Sequence, residues 1–198
     1  QAFLKTRGNG LLTLPPQVKL STDLACVDDA DTIIISVNSQ GLRALMRDEL
    51  APLRLQNKIF VLCMKGIEIS TGKRLSQVAS EFRKEPIAVW LGPGHVQDFY
   101  RGQPNCMVID SESTALRDEL IRCFSGDLIR FYYGTDLIGN EIGAAAKNVY
   151  GIGAGAWLGL VFGLTVLLTG DAAAFMAWSI PGTIIPVLVK GMVAGALS

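Results

Sequence analysis

The sequence predicts an α/β domain with a largely parallel sheet, followed by an all-α segment. Three observations carry this reading. Five short runs rich in Ile, Val, Leu and Phe alternate with segments of helical period. Three of those runs end in polar or glycine-rich turns. Charge then stops abruptly: after Lys147 only Asp171 and Lys190 are charged.

The elements follow in order. Residues 32–37 (Thr-Ile-Ile-Ile-Ser-Val) are mostly β-branched, which favours extended backbone, and read as a buried strand. Asp28, Asp29 and Asp31 form a solvated turn before it, and Asn38-Ser39-Gln40-Gly41 closes it. Residues 42–50 read as an amphipathic helix. Residues 58–64 are a second strand, running directly into Lys65-Gly66-Ile67-Glu68. Residues 73–82 form a helix with Leu75, Val78, Ala79 and Phe82 on one face. Ile87–Leu91 is a third strand, ending at Gly92-Pro93-Gly94-His95. Residues 105–109 are a fourth strand, 111–124 a helix and 128–133 a fifth strand. A helix begins near Asp136 and carries Lys147.

Composition bounds the function. The chain has 198 residues, enough for one large or two small domains. Its 18 basic and 18 acidic residues cancel, which argues against nucleic-acid binding. None of Cys26, Cys63, Cys106 and Cys123 forms a C-x-x-C pair, and they read as buried free thiols of a reducing, cytoplasmic protein. With His95 the only histidine, a zinc site is not expected. The chain begins at Gln1 with no initiator Met and no signal-peptide pattern. Residues 148–170 carry no charge, and taken alone the tail reads as two membrane-spanning hairpin helices, a rival to the enzyme reading.

Ligands of parallel sheets bind at the carboxyl ends of the strands, so the three turns at Asn38-Ser39, Lys65-Gly66 and Gly92-Pro93-Gly94 point to one site. The strand–G-x-G-x-x-G–helix fingerprint of dinucleotide binding is absent; either this is no nucleotide fold, or its first βαβ unit is missing from the sequence. Lys147 lies in a bed of Gly and Ala, where partial desolvation would lower its pKa and suit it to proton transfer. Asn140, Gly143, Ala144, Lys147 and Gly151 share one helical face, read as the wall of a site. Glu141 reads as a helix-stabilising or domain-bridging acid rather than a pocket acid, and Trp90, Trp157 and Trp178 as packing residues.

Lys65-Gly66-Ile67-Glu68 followed by Thr71-Gly72 and Leu75-Ser76 resembles the K-G-x-E…T-G…L-S signature of NAD(P)-dependent glycerol-3-phosphate dehydrogenases. Gly92-Pro93 resembles that family's G-P-S-F-A turn, and the stretch from Asp136 through Gly139, Glu141, Gly143, Ala144, Lys147, Asn148 and Val149 is similar to its active-site helix. Leu14-Pro15-Pro16, Asp23-Leu24 and Asp31 also fall in family order, so the resemblance covers roughly residues 10–160. It implies a Rossmann-like domain and reversible reduction of dihydroxyacetone phosphate to sn-glycerol 3-phosphate by NAD(P)H, feeding glycerophospholipid synthesis. On this resemblance Lys147 is the catalytic proton donor and acceptor. Lys65 contacts both substrate and cofactor, Gly92, Gly94 and Asn148 bind substrate, and Asn38, Ser39 and Val96 lie on the cofactor side. A small phosphorylated substrate is then the partner, no membrane span is expected, and a homodimer is possible.

The sequence also departs from the family. Gly94-His95-Val96 replaces Ser-Phe-Ala, which removes a hydroxyl; the Gly94 N–H can replace it, and His95 either adds a contact or is a loop histidine with no role. The family's phosphate-binding Gly-Arg-Asn turn has no counterpart, since no arginine follows Arg130. Thr169-Gly170-Asp171 and Ser179-Ile180-Pro181 resemble family segments that are normally much farther apart. The expectation is an incomplete sequence, with a partial Rossmann-like domain over 1–134 and a helical substrate domain, discontinuous, over 135–198. Ketopantoate reductase and other β-hydroxyacid dehydrogenases share this architecture with poorer motif spacing.

Overall fold

A computed structural model describes residues 5–8, 10, 12–53, 55–92 and 96–169 of the chain. Strands β1 (Thr32–Ile35), β2 (Ile59–Leu62), β3 (Ile87–Leu91), β4 (Asn105–Ser111) and β5 (Ile129–Tyr133) lie side by side in chain order in one sheet. Helix α1 is Leu42–Ala44, continued in wider π register over Leu45–Leu50. The others are α2 (Leu75–Ser80), α3 (Val96–Tyr100), α4 (Thr114–Phe124) and α5 (Leu137–Thr169). Pro93, Gly94, His95 and residues 170–198, with Trp178, Ser179-Ile180-Pro181 and all of the other quoted tail segment except Thr169, lie outside the described residues.

The sheet is largely parallel, as the alternation predicted, with one antiparallel pairing. β1, β2 and β3 run parallel, and so do β4 and β5, but β4 is antiparallel to β3. The reason is the connection. A parallel crossover must carry the chain back along the whole strand. The five residues of α3 span only about 8 Å against roughly 16 Å for β3, so the chain re-enters from the edge it left. The eleven residues of α4, about 16 Å, do return it, and β5 is parallel to β4.

Most elements begin or end a few residues from the sequence reading, and two of these differences have a specific cause. Helix α2 starts at Leu75, not 73, because the Lys73 carbonyl accepts the Glu68 N–H (2.9 Å) and closes a turn. Strand β4 extends to Ser111, whose hydroxyl donates to the Ile87 carbonyl (3.0 Å); Ser113 then caps α4 through the Leu116 N–H.

Strand side chains alternate between two cores. Ile33, Ile35, Phe60, Leu62, Ile87 and Val89 face α1 and α2, against which Leu137 and Ala144 of α5 also pack. Val61, Ala88, Ile109 and Phe131 face α4. There Trp90 stands edge-on to Phe131, ring centres 4.8 Å apart, so its packing role holds. Trp157 does not share that role: it is 63% exposed on α5. By length and composition α5 is apolar enough to cross a membrane, and beyond its first three turns most of its described large apolar side chains are exposed.

The cysteines also depart from expectation. Cys26, Cys106 and Cys123 are exposed, because each falls on a surface position of its element, and Cys63 alone is half-buried. Burial pushes the Cys63 thiol up to about 11. A thiol-specific reagent at about pH 8 should therefore modify three cysteines rapidly and Cys63 slowly, since thiolate is the reactive form. Equal rates for all four would contradict this placement.

Candidate functional site

Because β1, β2 and β3 are parallel, the chain leaves all three at the same edge. Turn 38–41, loop 65–68 and Gly92 are thereby neighbours although far apart in sequence. The Lys65 ammonium donates to the Gly92 carbonyl at 2.6 Å, joining the second turn to the third. Ser39 lies against Gly66, where an added Cβ would come within 3.0 Å of the Ser39 hydroxyl. Gly92, at φ 156°, leaves no room either: a Cβ would meet the Met107 backbone at 3.0 Å.

Helix α5 brings the fourth component. Its Asn140 amide donates to the Asp110 carboxylate at 2.7 Å. Asp110 pairs with Val89 in the sheet, so Asn140 is level with the middle of β3. Seven helical residues, about 10 Å, carry the chain from Asn140 to Lys147. Three strand residues, about 10 Å, lead from Val89 to Gly92. Lys147 consequently stands at the same edge as Gly92 and Lys65. Lys65 registers this electrostatically: burial of its ammonium and the nearby Lys147 charge both hold its pKa below the ordinary 10.5.

The face read as a site wall divides along its length. Asn140 is spent on Asp110 and Ala144 packs into the core, so only the end carrying Lys147 reaches the site. Lys147 is half-buried; Asn148, about 100° further round, is exposed. Asn38 is exposed, and its side-chain oxygen caps the following turn through the Gln40 N–H at 2.9 Å. Val96 opens α3, and Gly94 and His95 lie outside the described residues.

The sequence reading missed the groups that hold the Lys65 loop. The Gln40 amide donates to the Ile67 carbonyl and accepts the Ile69 N–H, both at 2.9 Å, as a neighbouring strand would. Arg43 grips Glu68 with two parallel hydrogen bonds of 2.9 Å and also pairs with Glu81. The Arg43 guanidinium, and then Thr71, keep the Glu68 carboxyl below its ordinary range. Glu68 was visible in the motif, but nothing in spacing alone pairs it with a residue 25 positions earlier. Among the described residues no His, Cys, Asp and Glu cluster could hold a metal.

Residues 7–117 match the family model for the NAD-dependent glycerol-3-phosphate dehydrogenase N-terminus. The chain belongs to the NAD-dependent glycerol-3-phosphate dehydrogenase family. It is 35% identical over 166 residues to the glycerol-3-phosphate dehydrogenase [NAD(P)+] of Beijerinckia indica, covering 81% of this chain and 49% of the relative. It is 38% identical over 156 residues to the same enzyme of Brucella ovis, covering 78% and 48%. The chain thus spans about half the length of these relatives. The fold is likewise that of the solved Coxiella burnetii glycerol-3-phosphate dehydrogenase (TM-score 0.72, 21% identity, 89% of this chain and 54% of that one). The Dunaliella salina glycerol-3-phosphate dehydrogenase structure is similar at TM-score 0.71 and 19% identity, covering 98% of this chain and 36% of that one. In this glycerol-3-phosphate dehydrogenase fold the two motif lysines, 82 positions apart by their numbers, share one sheet edge.

Proposed function

We propose that this chain carries the nicotinamide-end and substrate-end machinery of an NAD(P)-dependent oxidoreductase interconverting dihydroxyacetone phosphate and sn-glycerol 3-phosphate. The observation that carries the reading is the meeting of Lys65, Lys147 and the Gly92 turn at the carboxyl edge of the parallel strands. NAD(P)H, when bound, supplies the hydride. The G-x-G-x-x-G pyrophosphate loop is not among the 198 residues.

The residues then divide the work. Hydride arrival at a ketone carbon places negative charge on its oxygen. Lys147, as ammonium, stabilises that oxygen and gives it a proton. In the reverse direction the neutral amine takes the proton back. Lys65 adds the second positive charge that an anionic phosphorylated substrate requires, from a position braced by Gln40, Arg43 and Glu68. Gly92, Gly94 and Asn148 are the proposed substrate contacts, and Asn38, Ser39 and Val96 the cofactor side. We read α5 as the start of a helical substrate domain, in a cytoplasmic protein able to form a homodimer. The docking of its first three turns on the sheet supports that reading over a membrane span.

The test is dihydroxyacetone phosphate-dependent loss of NADH or NADPH absorbance in the full-length protein, and its absence with both cofactors would refute the reading. Lys65→Met keeps the apolar stem and removes the charge. It should raise KM for dihydroxyacetone phosphate about tenfold or more while lowering kcat less than loss of Lys147 does. Stability gives a second readout. The fold disfavours protonated Lys65, so the unfolded chain holds that proton more tightly. The wild type should therefore gain stability as pH rises through the window just below 10.5, and Lys65→Met should lose that gain.

A further inference from the structure

The turns of α5 that present Lys147 are built of Gly139, Ile142, Gly143, Ala144, Ala145 and Ala146. Small and apolar surfaces pack without direction, so such a helix can rotate or slide against a sheet at little cost. Two adjacent residues supply direction. Asn140 ties the helix to β4 through Asp110. Glu141 ties it to α2: its carboxylate accepts the Ser76 N–H (2.9 Å), the Ser76 hydroxyl (2.6 Å) and Arg74 Nη1 (2.5 Å).

Glu141 is only 5% exposed and Arg74 is largely buried with it. A buried ion pair is a weak way to gain stability, because desolvation offsets most of the attraction. An apolar residue could cover α2 without that cost. What the carboxylate adds is orientation. Three donors on two residues set both the rotation and the height of α5, at a point six residues before Lys147. The precision matters. With the helix radius and a lysine's reach, a rotation of about 20° carries the ammonium roughly 3 Å, and a misplacement of about 1 Å can cost on the order of a hundredfold in rate.

We propose that Glu141, gripped by Arg74 and Ser76, is a positioning residue that sets the rotation of α5 and so delivers Lys147 to Lys65 and the Gly92 turn. What Lys147 does there rests on the function proposed above; its placement does not. Glu141→Gln keeps the size and an acceptor for Ser76 but removes the charge that holds Arg74. Two measurements read the consequence in the otherwise unaltered protein. In steady-state kinetics, kcat should fall about tenfold or more while KM for dihydroxyacetone phosphate stays within about threefold. In an NMR titration of carbon-labelled lysines, Lys65 should titrate closer to its ordinary value, because the neighbouring charge has moved away.

If Glu141→Gln does not fold, Ser76→Ala removes one of the three donors and leaves the ion pair; it should move both readings in the same directions by less. A folded variant, even one of lowered melting temperature, with unchanged kcat and unchanged Lys65 titration would overturn the proposal and leave Glu141 a structural residue. If the wild type does not reduce dihydroxyacetone phosphate, yet Lys65 still shifts in the variant, the functional reading fails and the positioning role stands.

Discussion

Replacing Lys147 with alanine should lower kcat for dihydroxyacetone phosphate reduction by about 10² to 10⁴, the usual worth of a positioned proton donor. The fold should be nearly unaffected. Lys147 is half-buried on α5 among Gly and Ala, and alanine is the best helix former, so stability should change by no more than about 0.5 kcal/mol. Lys65 provides an internal control. Its lowered pKa owes most to burial and then to Lys147, so the variant should restore part of the shift but not all of it. Turnover at the wild-type rate, with a normal melting curve, would remove Lys147 from the chemistry.

Phe60→Ala should have the largest effect on stability, about 3–5 kcal/mol by denaturant unfolding. Phe60 is fully buried in the middle of β2, between Ile33 of β1 and Ile87 of β3. Its ring also carries the Arg83 guanidinium, 4.7 Å from its centre. Arg83 Nε is buried with no hydrogen-bond partner among the described residues, so the ring face is part of its solvation. Truncation leaves a cavity and removes the ring face from Arg83, which keeps the Leu55 carbonyl and Glu85 as partners. For a chain of this length the loss corresponds to roughly 10 °C or more in melting temperature. Phe60→Leu, which keeps most of the volume, should cost less than half as much. Equal costs for the two would assign the loss to the ring's interaction with Arg83 rather than to the cavity.

Much of the architecture was legible along the chain. Strands β2 and β3 were visible as continuous apolar runs, because burial on both faces of a sheet demands them. Lys65 and Lys147 stood out because their motifs are local: a strand-end turn and one face of a helix. The antiparallel β4 was not legible, since strand direction depends on whether a connection is long enough to recross the sheet. The exposure of Cys26, Cys106, Cys123 and Trp157 was misread for a related reason. Residue type sets an average tendency to be buried, whereas burial itself depends on what the fold places opposite.

The sequence by itself determined the strand–helix alternation, the turns that end three strands, the two lysines and the family. Periodicity and short motifs report interactions between residues a few positions apart, and these survive in one dimension. Only the tertiary structure decided that Gly92 accepts from Lys65, that Gln40 and Arg43 brace the Lys65 loop, and that Glu141 turns its carboxylate into α2 rather than toward a ligand. Each of those is a directional bond between segments tens of residues apart. Its geometry exists only after the sheet has aligned their ends.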